Sequence, residues 1–327
     1  MLEQSRTILN DDLMTKFKAC RVFKDAITPI SNMDWSEDGD SLLICESDTL
    51  RVYTISSGDI FRIHHSRKNS MDAIKFAHSN KQCLVASNKT DGDATVRLWD
   101  IQENRYIRAT KLSSGVVPYN GISVHPNKDL FIASTNDSKV SIYNFKLDSP
   151  LAIQSTKNKT PISAFDPEGR TFAVATDDHI ITMYDCKTYS PFDTFNLSTH
   201  IGKKCHIDHF TFSPDGRLIL VKTNSGKVFT ISSFRGELFQ EYKTVNKSPN
   251  HIIKSETRPV FSSDSQYVIH GLQDSTISIW STTTAKHIVN LTGHVGQPKC
   301  ISFNPKKAFF ASACINVIWW KPNIEIQ

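Results

Sequence analysis

The segment HVGQPKCISFNPKKAFFASACINVIWW, residues 294–320, contains three strand-like runs separated by polar turns. Only seven residues, KPNIEIQ, follow it, and Pro322 cannot donate a backbone hydrogen bond within a sheet. A three-stranded sheet that ended here would expose its outer edge to pairing with another chain. We therefore expect a fourth strand from elsewhere in the sequence.

Six segments upstream share the pattern of this closing segment. Each has an apolar strand, a polar turn, a second apolar strand, another turn and a third strand that ends near an aromatic residue. The anchors that end the first strands are separated by 41, 48, 41, 47, 49 and 42 residues. These steps lie near the roughly 40–45 residues of one WD-repeat propeller blade. The anchors are Trp35, Phe76, Val124, Phe165, Phe212, Phe261 and Phe303.

The turns and the third strands support the same repeat. Turns such as SEDGD, DPEGR and SPDGR place Gly after an acidic residue, and Gly tolerates the positive φ of a tight hairpin. The third strands end in RVYT, RLWD, SIYN, TMYD, KVFT, SIWS and VIWW. Only RLWD contains the Trp-Asp dipeptide itself. The aromatic positions are Tyr53, Trp99, Tyr143, Tyr184, Phe229, Trp280 and either Trp319 or Trp320.

A blade cannot bury both faces of its sheet alone, so seven similar units predict an all-β, seven-bladed WD-repeat β-propeller in a single domain, 1–327. The blades are expected to start near residues 27, 69, 115, 159, 203, 253 and 295. The segment FKACRVF, residues 17–23, belongs to no repeat and has the length of a strand. We expect it to complete the last blade and close the ring. The alternative is a strand that only packs on the first blade.

Composition limits the class of protein. The 327 residues are 39% hydrophobic and 22% charged, which is typical of a globular chain, and no apolar run is long enough to predict a membrane span or a secretory signal. The seven cysteines form no C-x-x-C pair, which favours reduced thiols in the nucleus or cytoplasm. A net charge of +5 permits acidic partners without requiring them.

Several polar residues match a hydrogen-bonded set that ties together blades of this type: a Trp on the third strand, a Ser or Thr on the second, an Asp in the turn between them and a His in the preceding loop. No blade contains the whole set. We assign structural roles to its fragments because buried polar groups need partners. The fragments are Asp93, Trp99, Asp100, Asp274, Trp280, His294, Ser312 and Trp319.

The sequence gives little support for metal binding or for catalysis. CHIDH contains Cys205, His206 and His209, but residues on a strand alternate between faces, so the two histidines should not converge. His64 and His65 are expected in a solvated loop. The motifs G-x-S-x-G, G-x-x-x-x-G-K-[ST] and H-E-x-x-H do not occur. We predict no metal, no cofactor and no enzymatic activity, although an enzyme with a site in the central channel stays open as an alternative.

Basic residues concentrate in the segments that join one blade to the next: HHSRKNS, STKNKT, HIGKKCH and KTVNKSPNHIIKSE. In a propeller these segments emerge on one face. Such a face would suit an acidic or phosphorylated peptide, although loops are in general rich in solvated lysine. Direct binding of nucleic acid is not expected, because aromatic residues do not alternate with these lysines. The candidate peptide-binding residues are Arg67, Lys68, Lys157, Lys159, Lys203, Lys204, Lys247 and Lys254.

Five stretches give a more specific resemblance. FNPKKAFFASACINVIWW is similar to the closing blade of the WD-repeat subunit of COMPASS-type histone lysine methyltransferases, a subunit also found with nuclear phosphatase and cleavage-polyadenylation machinery. SNKTDGDATVRLWD, NRYIR, FDPEG and FKACRVFKD resemble segments of the same family in the same order. The chain departs from the family where NRYIR continues as ATKLSSG and where the third blade ends in Tyr143-Asn144. These departures indicate a diverged member.

The resemblance implies a non-catalytic nuclear scaffold, monomeric within a larger complex and not bound to membranes. It would join a methyltransferase or phosphatase-scaffold subunit to the phosphorylated tail of RNA polymerase II, with the cytoplasm open as a second location. A ubiquitin-ligase substrate receptor is the alternative from another class. Many such receptors have Arg two residues after Trp-Asp, but here Trp99-Asp100-Ile101 is followed by Gln102.

Overall fold

A computed structural model of the chain describes residues 9–66, 71–87, 94–117, 121–158, 160–243 and 256–323. These residues form seven antiparallel sheets of four strands each. The first strands of neighbouring sheets contact one another from blade 1 through blade 5, from blade 6 to blade 7 and from blade 7 back to blade 1, and blades 5 and 6 pack through a shared apolar cluster, so the sheets close into a ring. The predicted seven-bladed β-propeller is confirmed.

Blades 1 to 6 take their strands in chain order, and in all seven blades the first strand is nearest the axis. Blade 1 contains β2 (Ile30–Trp35), β3 (Ser41–Glu46), β4 (Thr49–Thr54) and β5 (Asp59–His65). Blade 2 contains β6 (Ala73–Phe76), β7 (Gln82–Ala86), β8 (Thr95–Asp100) and β9 (Arg105–Lys111). Blade 3 contains β10 (Ile122–Val124), β11 (Leu130–Thr135), β12 (Lys139–Asn144) and β13 (Ala152–Ser155).

The remaining blades follow the same order. Blade 4 contains β14 (Ser163–Phe165), β15 (Thr171–Asp177), β16 (Ile180–Asp185) and β17 (Pro191–Asn196). Blade 5 contains β18 (Ile207–Phe212), β19 (Leu218–Thr223), β20 (Val228–Ser232) and β21 (Leu238–Tyr242). Blade 6 contains β22 (Val260–Phe261), β23 (Tyr267–Gly271), β24 (Ile277–Ser281) and β25 (His287–Leu291). Blade 7 contains β26 (Cys300–Phe303), β27 (Phe310–Ala313), β28 (Val317–Pro322) and β1 (Phe17–Phe23).

The fourth strand of blade 7 comes from the other end of the sequence. β1 pairs antiparallel with β28, from Phe17 opposite Pro322 to Phe23 opposite Val317. The expected closing strand is therefore confirmed, and the alternative of a strand that only packs on blade 1 is wrong. Phe17 stacks on Phe310 with ring centroids 5.5 Å apart, so the closing strand contributes to the core of the blade.

A short helix, α1 (Asp11–Thr15), precedes this strand and extends the closure. The side chain of Asn10 caps the helix by accepting from Leu13 N at 2.8 Å. Met14, which belongs to the helix, is fully buried. The hydroxyl of Tyr267 in blade 6 donates to Asp11 Oδ1 at 2.8 Å. The N-terminal region thus contacts blade 6 and completes blade 7.

Apolar side chains from neighbouring blades form the core. Between blades 1 and 2, for example, Leu43 and Val52 pack with Ile74, Cys83 and Trp99. Burial of a large apolar side chain stabilises the fold by about 1.5–3 kcal/mol. Each blade therefore depends on its neighbours, as the repeat pattern predicts.

The third and outer strands of a blade pair through a β-bulge in six of the seven blades. In blade 2, for instance, Leu98 lies opposite Arg108 and Trp99 opposite Tyr106, so Ile107 is the extra residue. The extra residues are Phe61, Ile107, Phe192, Phe239, Ile288 and Cys20.

The bulge corrects the predicted end of one third strand. In blade 5 the register shifts between Thr230 and Ile231, and β20 continues to Ser232. Ile231 therefore occupies the position that Trp99 has in blade 2, and Phe229 lies two residues earlier. The sequence pattern indicated Phe229 because Ile231, the residue at the equivalent position, is aliphatic.

Candidate functional site

The segments that join blades share one side of the ring with the turns between second and third strands, and we call this side the loop face. Backbone hydrogen bonds connect the two kinds of segment. Lys157 N donates to Thr176 O at 2.9 Å, and Ile207 N donates to Asp178 O at 3.0 Å. The predicted gathering of blade-joining segments on one face is therefore present in the described parts of the chain.

Three of the eight candidate lysine and arginine residues lie on described parts of this face. Lys157, Lys203 and Lys204 are exposed, and the loop that contains the last two is anchored by the buried Leu197 and Ile201. The structure does not describe the other candidates: Arg67, Lys68, Lys159, Lys247 and Lys254.

The three lysines flank a turn that is acidic. Asp177 ends β15 and Asp178 follows it in the turn to β16, and the joining loops on both sides contact this region through Thr176, Asp178 and His179. An anionic ligand would meet both signs of charge here. Blade 4 therefore presents a mixed surface, and a peptide would need to place its phosphates over the lysines and away from this turn.

The first strands of all seven blades line an axial channel of about 340 Å³. Charged groups at and beside the channel are paired: Lys75 Nζ of blade 2 lies 2.6 Å from Asp34 Oδ1 of blade 1, and within blade 5 Lys222 pairs with Asp208. The Arg258 guanidinium donates to Ser31 O at 3.1 Å, which joins blades 6 and 1. These contacts stabilise the ring at its axis.

Two groups in the channel have shifted pKa values. Burial lowers the pKa of His209 well below its usual range, and the positive charges of Arg258 and Lys222 lower it further. Burial raises the pKa of Cys300 to about 12. At neutral pH the channel therefore presents a neutral imidazole and a protonated thiol, which is a poor nucleophile.

The last blade contains most of the predicted hydrogen-bonded set. His294 Nε2 lies 2.6 Å from Ser312 Oγ, and the indole N–H of Trp320 donates to the same oxygen at 2.7 Å. The predicted member Trp319 is wrong. Adjacent residues on a strand face opposite ways, so Trp319 packs against Phe23 of the closing strand instead.

The described residues of blade 6 do not assemble the set. Asp274 accepts from the backbone N–H of Thr276 at 3.1 Å and from its hydroxyl at 2.6 Å, so it stabilises its own turn. The indole N–H of Trp280 donates instead to Lys243 O at 3.2 Å. The predicted association of Asp274 with Trp280 is corrected accordingly.

In blade 2, Asp100 accepts from the backbone N–H groups of Gln102 and Glu103, each at 3.0 Å. Trp99 Nε1 has no hydrogen-bond partner among the residues the structure describes, and Asp93 lies outside them.

The histidine pair at positions 64 and 65 is not in a loop. Both residues belong to β5, and the ring of His64 lies 4.6 Å from that of Trp99. Within the described ranges no three His, Cys, Asp or Glu side chains lie close enough together to hold a metal ion. No described helix is long and apolar enough to cross a membrane.

The comparisons with known proteins agree with this architecture. The chain is 29% identical to WD repeat-containing protein 82 of Drosophila melanogaster over 97% of its length and 98% of the relative's. The chain is a seven-bladed β-propeller that is similar to WD-repeat proteins over nearly its whole length, and the resemblance observed in its sequence is confirmed. No protein-family model matches it.

Two further relatives of this chain have names that place them in complexes. It is 23% identical to the COMPASS component SWD2 of Saccharomyces cerevisiae, with 93% of this chain and 95% of the relative covered. It is 22% identical to the Set1 complex component swd2 of Schizosaccharomyces pombe, with 94% and 98% covered. The similarity therefore includes all seven blades.

Proposed function

We propose that this chain is a non-catalytic scaffold subunit of a nuclear chromatin-modifying complex that contains a histone lysine methyltransferase. The observation that carries the proposal is its similarity, across more than nine tenths of both chains, to proteins named as COMPASS or Set1 complex components. The paired charges and protonated thiol of the channel favour a scaffold over an enzyme. A scaffold acts through its surfaces, and a closed propeller offers several.

The finer part of the proposal concerns the partner of the loop face. We propose that Lys157, Lys203 and Lys204, with the other basic residues of the joining segments, bind a phosphorylated tail of RNA polymerase II and so connect it to the complex or to a phosphatase scaffold. Each phosphate can accept charge-assisted hydrogen bonds from lysine. The exposure of these three side chains supports the proposal.

Purification of the endogenously tagged chain tests the scaffold role. Proteins that copurify from nuclear and from cytoplasmic extracts would be identified by mass spectrometry. We expect methyltransferase, phosphatase-scaffold or polyadenylation subunits in the nuclear fraction. Recovery of ubiquitin-ligase adaptors, or of cytoplasmic partners alone, would contradict the proposal.

Charge reversal tests the loop face separately. Lys157→Glu, Lys203→Glu and Lys204→Glu combined should weaken binding to a serine-phosphorylated polymerase tail peptide and leave the circular dichroism spectrum unchanged. The matched control reverses Lys81, Lys187 and Lys306, which are exposed on the opposite face. Unchanged affinity in the first variant, or an equal loss in the control, would remove the loop face from the proposal.

A further inference from the structure

Three aliphatic side chains are exposed on neighbouring segments of the loop face. Ile27 is 89% exposed, Val295 81% and Ile315 44%. Ile27 lies in the segment that joins the closing strand to blade 1, Val295 in the segment that joins blades 6 and 7, and Ile315 in the turn between β27 and β28. Exposed apolar residues that occur singly are ordinary, whereas several on adjoining segments indicate an interaction site. We call these three residues the apolar loop patch.

The turn between β27 and β28 contacts the joining segments on both of its sides. Cys314 immediately precedes Ile315 in this turn. Ile30 N donates to Cys314 O at 2.8 Å, which brings the segment that leads into blade 1 against the turn. His294 Nδ1 lies 3.3 Å from Cys314 Sγ, which brings the segment that leads into blade 7 against the other side. The three segments therefore form one region of the loop face.

This region contains no charged side chain. Its segments read AITPISN (residues 26–32), TGHVGQP (292–298) and ACIN (313–316), without Asp, Glu, Lys or Arg. Burial lowers the pKa of His294 to about 4, so its ring is neutral at neutral pH. Depletion of charged residues distinguishes the core of a protein interface from the rest of the surface. The region thus differs from the mixed charges that blade 4 presents on the same face.

Charged residues of both signs occur at the border of the region. Lys24 and Asp25 precede the first segment. Lys299 follows the second segment, and its Nζ lies 3.3 Å from Glu256 Oε2. Neither sign prevails, so the border favours neither a strongly acidic nor a strongly basic partner.

The backbone on both sides of the patch is held in place. Glu46 Oε1 accepts from Ile27 N at 2.6 Å and from Thr28 N at 2.8 Å. In the segment before blade 7, His294 Nε2 lies 2.6 Å from Ser312 Oγ. A surface that is ordered before binding loses less conformational entropy when a partner arrives.

We propose that the apolar loop patch is a docking site for a short, uncharged, apolar segment of a protein partner. The proposal rests on the scaffold role proposed above and adds a second contact to the loop face. Aliphatic or aromatic side chains of the segment would cover Ile27, Val295 and Ile315, and burial of this apolar area would supply the affinity. The exposed lysines lie in the segments before blades 4 and 5, so the two contacts are separate.

Other ligands fit the patch less well. A phosphorylated peptide needs cations, and the three segments contain none. Nucleic acid needs rings on which bases can stack, and the patch is aliphatic. A second copy of the chain would need a larger surface, because a standard interface takes about 20–30 residues from each partner. Three adjacent anchors suit a short segment.

Two glycines of the loop face allow a charge to be introduced without a steric conflict. Gly296 follows Val295, and a Cβ at Gly296 would meet nothing within 4 Å beyond its chain neighbours. Gly202 precedes Lys203, and a Cβ there would meet Cys205 Sγ at an ordinary 3.5 Å. Neither glycine has a positive φ. Gly296→Glu therefore places a carboxylate at the apolar loop patch, and Gly202→Glu is the matched control beside the lysines.

The first experiment selects ligands for the full chain from a phage-displayed library of random peptides, with the Gly296→Glu variant for counter-selection. We expect the enriched peptides to be rich in Leu, Ile, Val and Phe and to carry little net charge. The most enriched peptide is then labelled with fluorescein and titrated by anisotropy. Its affinity should hold as salt rises, because no ion pair contributes. Calorimetry should give a negative heat-capacity change, which marks the burial of apolar surface.

Variants locate the site. Ile27→Ser with Val295→Ser should weaken binding of the selected peptide about tenfold or more, since buried apolar anchors dominate such contacts. Gly296→Glu should weaken it as well. Phe234→Ser removes a side chain that is 73% exposed in the turn between β20 and β21, outside the patch, and should leave the affinity unchanged. Thermal unfolding of each variant checks that its fold is intact.

The two glycine variants separate this proposal from the one for the lysines. Gly202→Glu should weaken binding of the serine-phosphorylated polymerase tail peptide and spare the selected peptide, whereas Gly296→Glu should do the reverse. A phosphopeptide that fails to bind would contradict only the proposal for the lysines. Copurification without chromatin partners would contradict only the scaffold role.

Four results would overturn the docking site. The first two are the absence of any enriched peptide and the enrichment of predominantly charged peptides. The third is an equal loss of affinity in Phe234→Ser or Gly202→Glu. The fourth is self-association of the unaltered chain in sedimentation that Gly296→Glu abolishes, which would assign the patch to a second copy of the chain.

Discussion

At the scale of single residues, Ser312 holds the last blade together. Its fully buried hydroxyl lies within hydrogen-bond distance of both His294 and Trp320. A hydroxyl has one donor and two acceptor sites, so it can accept from the indole and donate to the imidazole. Burial lowers the pKa of His294 to about 4, which keeps the imidazole neutral and able to accept.

The two adjacent tryptophans allow this bond to be measured. Trp320→Phe removes an indole N–H that donates to Ser312, whereas Trp319→Phe removes one that has no partner among the described residues. Both side chains are buried and both variants lose the same volume. We expect Trp320→Phe to lower the free energy of unfolding in urea by about 1 kcal/mol more than Trp319→Phe. Equal losses would show that the bond contributes nothing.

The sequence predicted this set only in part. His294 and Ser312 were identifiable because His follows Gly in a joining segment and Ser lies on a second strand. VIWW offers two neighbouring indoles, and only the register of β28 against β27, with Phe310 opposite Trp320, decides which one faces Ser312. A register of this kind depends on long-range pairing that local sequence does not specify.

At the scale of elements, the segment between β1 and β2 is fixed by one buried ion pair. Glu46 Oε1 accepts from Ile27 N at 2.6 Å and from Thr28 N at 2.8 Å, and its other oxygen pairs with Arg51. Arg51 also donates to Asp25 O at 3.0 Å. This pair therefore attaches the closing strand to blade 1 on the loop face.

Glu46→Gln should destabilise the protein strongly, because it leaves the buried Arg51 without its counter-charge. Loss of one member of a buried pair costs about 3–5 kcal/mol. The exposed pair of Asp12 and Lys16 supplies the control, and Asp12→Asn should cost under about 0.5 kcal/mol. Urea unfolding measures both. A Glu46→Gln variant as stable as the Asp12→Asn variant would contradict this role.

Most elements follow from the periodicity of the sequence, since all seven predicted anchors end first strands. The bulges do not. One extra residue in an outer strand leaves the apolar pattern nearly unchanged, so the exposure of Phe61 and Ile107 appears only once the strands are paired.

At the scale of the whole molecule, buried neutral histidines make stability depend on pH. Burial lowers the pKa of His270 to about 3 and that of His294 to about 4, both from 6.5. The unfolded chain therefore binds more protons than the folded one below pH 6.5. The contribution of these two histidines to the free energy of unfolding is complete above pH 6.5 and is lost as the pH falls toward about 4.

We expect the free energy of unfolding, measured in urea, to fall steadily over this window, by up to about 1.4 kcal/mol for each pKa unit of each histidine. His270→Gln should reduce the slope of stability against pH, because it removes one of the titrating groups. Stability that stays constant or rises as the pH falls below 6.5 would contradict the expectation.

The ring is closed by strands from the two ends of the chain, and closure should determine stability as a whole. Without β1, the edge of β28 and the apolar surface under Phe17 and Phe23 would be exposed. A variant that lacks residues 1–23 should therefore unfold at lower urea concentration and self-associate, as measured by sedimentation.

The control is a circular permutant that begins at residue 24 and carries residues 1–23 after residue 327 through a short linker. Because Phe17 lies opposite Pro322, this permutant can rebuild blade 7 from consecutive strands and should regain the stability and the sedimentation behaviour of the parent. A deletion variant as stable as the parent would show that the last blade needs no fourth strand.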